Sequence, residues 1–337
     1  MQSRSAHHFR LVFCALLCIV LLSLVIGLCW GTYQITPWRI LQTLLGNGTK
    51  LEHITVFTIR LPRLLVAMLV GVALAISGGI LQTVTQNDLA DASMIGINAG
   101  AALAAVLFIT MQSDVYYREL GGLAVYILPF AAMLGAMLAA LILYLLAYRQ
   151  GIRPQRLLLT GIGINIAINA IVIFVNFRGS ITDYNRILIW TSGSLWGSGW
   201  KYFWVILPIV ILIVSAVLYH HKRMDLLNLG DEVAVGLGVN VEKERKKLLT
   251  FAVLLAGAAT AVAGNIGFLG LLAPHLAKKM VGPAHKYFLP AAACIGMIII
   301  ILADSMSRNV FSPIEIPVGI TISLLGVPYF IYLMVKE

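Results

Sequence analysis

Charge is what this chain has least of. Asp, Glu, Lys and Arg together make up 11% of its 337 residues, against about 25% in a water-soluble domain. That deficit excludes a soluble globular fold. With 60% hydrophobic residues and a mean hydropathy of +0.93, the chain belongs in a bilayer as an all-α polytopic membrane protein. Acidic residues are the scarcer sign, 14 against 24 basic, for a formal net charge of +10. The basic residues sit between apolar runs, so membrane topology accounts for them and no nucleic-acid partner is expected. Cysteine is sparse too. Cys14, Cys18, Cys29 and Cys294 lack the paired spacing of a metal site, give no basis for a disulfide, and are expected to be small apolar residues in helices. No G-x4-G-K-[ST], H-E-x-x-H or G-x-S-x-G run occurs. The chain is therefore expected to be no enzyme, to hold no ATP through that loop, and to need no cofactor or metal. His275 and His285 are too far apart to complete a metal site by motif, and His275 is expected to pack or hydrogen-bond near a half-helix.

What the chain does have is long apolar runs. Segments near 11–31, 60–82, 93–111, 122–147, 155–176, 199–219, 248–264, 269–280, 287–303 and 315–335 predict about ten transmembrane helices in one domain spanning 1–337, the eighth being a half-helix. The first run is longer than a signal-peptide core and has no small-residue cleavage site after it, so a retained helix is expected. Lys and Arg concentrate on one side of this topology, at Arg4, Arg10, Arg149, Arg153, Arg156, Lys222, Arg223, Lys243, Arg245, Lys246, Lys247, Lys278, Lys279, Lys286 and Lys336. That bias predicts both termini in the cytoplasm. Gly71 to Ile80 and Gly257 to Ile266 share the pattern G-x6-G-x-I. With five spans between their starts, the copies run in opposite directions, which is the mark of an inverted-repeat transporter. Chance likeness of two small-residue packing helices is the alternative.

Four constellations stand out. Gly264 to His275, GNIGFLGLLAPH, joins two apolar segments through three glycines and a proline. A lipid-facing helix does not tolerate such backbone, so the stretch predicts a broken element buried in protein or lining a wet cavity. The polar insertion from Asp225 to Lys247 predicts a short helix opening at Asp231 and Glu232, apolar Val233, Val235 and Leu237, and a break at Gly236 and Gly238. That pattern suits a knob docking into a partner's groove. An ordinary solvated loop is the alternative, and such a loop would not need the valines. Arg60 and Arg63 open the second span, and Arg308 follows Asp304 by one helical turn. These arginines either snorkel at helix ends or form a positive rim for an acidic partner, and Asp304 either pairs with Arg308 or does not. Asn165, Asn169 and Asn176 fall on one face of the fifth span. A polar stripe there either bonds neighbouring helices or lines a water-filled path.

RLPR at 60–63, GGILQ at 78–82, NDLAD at 87–91, IGINAGA at 95–101, TGIGIN at 160–165, LGDEVAVGLGV at 229–239, GNIGFLGLLAPH at 264–275, LAD at 302–304 with Arg308, EIPVGI from 315 and GVPYF up to 330 occur in that order. Together they resemble the iron-siderophore and cobalamin permease family of ATP-binding-cassette importers over nearly the whole chain after the first span. Departures are few. Asp88 and Ala92 stand where many members have proline, and Ile322 stands where threonine is usual. The resemblance implies the type II importer fold, with ten helices and an inverted repeat in each of two paired permeases. It implies that the 225–240 segment, through Leu229, Gly230, Asp231, Glu232, Val235, Gly236, Leu237 and Gly238, couples to a cytoplasmic ATPase dimer. Arg60, Arg63 and Arg308 would dock an extracytoplasmic substrate-binding protein, and Asn165, Asn169 and Asn176 would line the translocation path. The expected function is import of an iron-siderophore across the bacterial cytoplasmic (inner) membrane, with cobalamin or haem as alternative cargo. An ion-coupled secondary transporter would need acids within the membrane, and the spans hold almost none beyond Asp304. An intramembrane enzyme would need a catalytic constellation, and none is present.

Overall fold

The computed structural model describes residues 2–111, 124–148, 154–177, 187–312 and 314–336. Arg149, Arg153, Arg178 and Arg186 lie outside them. Among the described residues, fourteen α-helices carry the fold: α1 Gln2–Cys29, α2 Pro37–Leu44, α3 Lys50–His53, α4 Leu61–Thr85, α5 Ile97–Met111, α6 Ala124–Ala147, α7 Pro154–Asn176, α8 Trp200–Tyr219, α9 His221–Asn228, α10 Asp231–Gly236, α11 Val241–Ala263, α12 Leu269–Val281, α13 His285–Asn309 and α14 Val318–Lys336. A π-helical stretch, Ile54–Arg60, runs directly into α4. Every apolar segment expected to be a span contains one of these helices. Seven helices are long and apolar enough to cross a bilayer, while Ile97–Met111 and Val318–Tyr332 are shorter. Among the described residues this criterion of length and composition reaches seven crossings and leaves the expected ten untested.

Burial sorts the helices into two shells. The apolar windows of α4, α11 and α13 are 78%, 67% and 67% buried, against 17% for α7 and 22% for α8. The inner helices are built from small residues, which let backbones touch where lipid tails supply no hydrophobic drive between helices. Gly71 of α4 lies against Gly296 of α13, and Gly78 of α4 lies against Gly270 of α12. A Cβ at Gly78 would sit 1.8 Å from the Gly270 carbonyl oxygen. The repeat partner of Gly71, Gly257 of α11, lies against Ala136 of α6. The second span thus packs on the ninth and the seventh on the fourth, the correspondence an internal repeat requires. The copies part at their ends. α4 runs through Gly78 and Gly79 to Thr85, whereas α11 stops at Ala263 and Gly264 turns to φ +69°.

Gly78→Ala is expected to cost the purified protein at least 1–3 kcal/mol, the usual range for overpacking, because rigid backbone opposes the new methyl. Gly163→Ala on α7, where a Cβ meets no atom within 4 Å, is expected to leave thermal unfolding in detergent unchanged. Equal melting of both variants would refute the close α4–α12 contact.

Candidate functional site

The break between α11 and α12 is where the chain leaves regular structure inside the bundle. Backbone bonds from neighbouring segments hold its entry. Ser194 N–H donates to Ala263 O at 2.8 Å, and Gly319 N–H donates to Gly193 O at 3.0 Å. The segment 187–199 is thereby wedged between the break and the start of α14. A Cβ at Gly264 would lie 2.1 Å from Trp190 O, so only glycine fits there. Irregular backbone survives at this depth because it is enclosed by protein, as GNIGFLGLLAPH predicts. Phe268 opens α12 at φ +65°, a left-handed conformation that is uncommon outside glycine, and its side chain lies against Gly326 of α14. His275 is buried on α12 with its ring 5.9 Å from Tyr329, the packed position expected for it. One polar link escaped the sequence pattern. Asn98 of α5 donates to Asn265 Oδ1 at 3.0 Å and accepts from Thr260 Oγ1 at 3.1 Å, tying α5 to the break. Asn98 stands inside IGINAGA, but nothing in its spacing names a partner 167 residues away.

At one end of the bundle, α9 and α10 stand outside the spans. Met224, Leu227 and Ala234 are buried and hold them to the bundle. Arg245, 3% exposed at its side chain, grips Asp231 with two bonds of 2.7 and 2.8 Å, a bidentate geometry that fixes orientation as well as distance. Arg223 pairs with Glu244. Gly230 and Gly238 bracket α10 at φ +99° and +81°, and Asn240 caps α11 by accepting the Lys243 N–H at 3.0 Å. On this braced frame Leu229, Val233, Val235 and Leu237 are 60%, 48%, 61% and 59% exposed. Glu232, Gly236 and Gly238 are exposed beside them. Four apolar side chains face outward on a segment that is not itself a span, a pattern that marks a contact surface.

At the opposite end of α4, about 35 Å away at 1.5 Å per residue, the three sequence-identified arginines come together but turn inward. Arg60 is 4% exposed and donates to the carbonyls of Leu28 and Tyr33, closing the end of α1. Arg63 is 9% exposed and pairs with Asp304 at 2.9 Å and Glu315 at 3.0 Å. Arg308 Nε lies 3.1 Å from the other Asp304 oxygen. Asp304 has no solvent exposure and lies between two guanidiniums. Glu315, 39% exposed at its side chain, is the outward-facing member of the cluster.

On α7 the buried positions Leu157, Gly161, Ile164, Ile168 and Val172 face the bundle. Asn165 is half-buried and Asn169 exposed. Asn169 donates to the Asn165 side-chain and backbone oxygens at 2.8 and 2.9 Å, bonds within the helix rather than to a neighbour. Asn176 ends the helix, half-buried.

A model of the FecCD transport family matches residues 18–336. The chain is 43% identical over 318 residues to the iron(3+)-hydroxamate import system permease protein FhuG of Bacillus subtilis, covering 94% of both. It is 33% identical to the Fe(3+) dicitrate transport system permease protein FecD of Escherichia coli, covering 89% of this chain and 91% of that one. A solved structure of an inward-facing metal-chelate type ABC transporter superposes with TM-score 0.85 at 27% identity, covering 97% of this chain and 99% of that one.

Proposed function

Because the chain belongs to the FecCD transport family, we propose that it is the membrane subunit of an importer for a ferric chelate, in the first instance an iron-siderophore, and that it carries no ATPase site of its own. The observation that carries this is the braced, outward apolar surface of Leu229, Val233, Val235 and Leu237. Burying such side chains is worth roughly 1.5–3 kcal/mol each, and a cytoplasmic ATPase dimer is the partner that would bury them. ATP binding and hydrolysis there would move the 225–240 segment and switch the path between outward and inward access. In this reading the chain crosses the inner membrane ten times, with both termini and the α9–α10 end in the cytoplasm.

Arg60, Arg63 and Arg308 mark the outer end, where a substrate-binding protein would dock. Their guanidiniums already serve internal partners, so an incoming carboxylate would act by displacing Glu315 from Arg63. The stripe of Asn165, Asn169 and Asn176 runs along the flank of the buried face of α7, with Asn169 exposed. Polar side chains on a lipid face are costly, so we assign that face to the translocation path formed with a second permease subunit. A secondary transporter is disfavoured because Asp304, the buried acid of α13, is already paired with Arg63 and Arg308.

Uptake of labelled iron-siderophores, haem and cobalamin in cells lacking the gene tests the proposal. The expected result is loss for one ferric chelate, restored by complementation and abolished by ATP depletion. Uptake that survives ATP depletion and follows an ion gradient would overturn it.

A further inference from the structure

His285 opens α13 with no solvent exposure. Its two ring nitrogens face different elements. Nδ1 lies 2.7 Å from Asp225 Oδ1 on α9, and Nε2 lies 2.8 Å from Thr83 Oγ1 on α4. A carboxylate only accepts, so Nδ1 carries a proton. The Thr83 hydroxyl also reaches the Gly79 carbonyl at 2.9 Å, so the ring joins α9 to the body of α4 through its two nitrogens.

Asp225 completes the arrangement. The same Oδ1 accepts the backbone N–H of His285 at 2.8 Å. Ala284, the N-cap residue of α13, supplies no capping side chain, so a carboxylate from α9 does that work and meets the positive end of the helix. Burial raises the Asp225 pKa, but the His285 hydrogen bonds and charge outweigh it and hold the carboxyl below its usual range. Other charged or titratable groups around the ring have partners of their own. Lys278 of α12 pairs with Asp88 and lies over the Phe288 ring, Lys286 lies over Tyr287, and His221 of α9 turns its Nδ1 to Leu218 O. A second bond, Gln86 Nε2 to Leu227 O at 3.3 Å, links α4 to α9.

We propose that His285 is a positioning residue that pins the α9–α10 segment to α4 and α13. α4 and α13 are also locked at their far ends by Arg63 and Asp304. A displacement of α9 would therefore move the two inner helices as one body. This rests on the reading of the 225–240 segment as the ATPase contact. The Asp225 end of the pin is present while its carboxyl is ionised and is lost as pH falls through its depressed value.

Hydrogen exchange of the purified chain alone reads the pin directly. Protection of amides in 225–238 is expected to be about tenfold lower in His285→Gln than in the wild type, the size expected when a hydrogen bond to a charged group is removed. Thr83→Val, which removes one of the two ring bonds and keeps the ring, should lower it less. Equal protection in the wild type and both variants would overturn the pin. In the reconstituted transporter, uptake per ATP hydrolysed is expected to fall at least fivefold in His285→Gln, within the range of ordinary inter-site coupling. A normal ratio with a detached segment would overturn the coupling role of the segment and leave the pin standing.

Discussion

Asp304→Ala is expected to cost about 3–5 kcal/mol of folding stability, the range for breaking a buried ion pair by removing one partner. The carboxylate has no solvent exposure and separates two guanidiniums. Without it Arg63 retains Glu315, while Arg308 loses its carboxylate and faces a like charge in the same enclosed space. Replacing Asp304 and Arg308 together by apolar residues is expected to recover part of the loss, because the second change removes the charge that the first stranded. Glu315→Gln should cost no more than about 1 kcal/mol, since its partly exposed pair is screened by solvent. Thermal unfolding of the purified protein in detergent separates these cases. Equal losses for Asp304→Ala and Glu315→Gln would show that the buried carboxylate does not organise this end of the bundle. Glu315→Gln also reports on docking, because weakening the internal competitor for Arg63 should tighten binding of the partner protein.

The second large effect is expected at Gly236. A Cβ there meets no atom of this chain within 4 Å, and the residue is exposed at the end of α10. Gly236→Trp should therefore leave the permease's own yield and melting unchanged, or slightly improved by helix propensity. In the proposed complex the same side chain meets the partner. A clash of even 1.4 kcal/mol lowers affinity tenfold, so co-purification of the ATPase and ATP-driven uptake should both fall by about that factor or more. Gly238 is the poorer probe, because its φ of +81° strains any other residue whatever it touches. Full uptake in Gly236→Trp would remove the coupling role.

Much of the architecture could be read from the sequence because lipid imposes few solutions. Apolar length set the helices, and the glycine-rich break between 264 and 268 announced itself because no lipid-facing helix holds such a backbone. The apolar positions of the 229–237 segment were equally plain, since valines and leucines in a charged loop have no local use. The grouping of the arginines at helix ends was legible, while the choice between an outward rim and pairing with Asp304 stayed open. Their spacing on one helix face says nothing about Asp304, which is 241 residues from Arg63, so an outward rim and an inward network look alike in one dimension. Asn98 and His285 carried no signal of their role for the same reason. Each acts through partners on other helices.

The sequence by itself determined that this chain is a helical membrane protein, where its helices run, and which family it resembles, because hydropathy, glycine placement and ordered motifs are local properties. Only the tertiary structure decided which helices are inner, that Arg60, Arg63 and Arg308 spend their charge inside the chain, and that His285 joins α9 to α4 and α13. Those are statements about groups brought within 3 Å of one another by packing, and packing distances are not encoded in the spacing of residues along the chain.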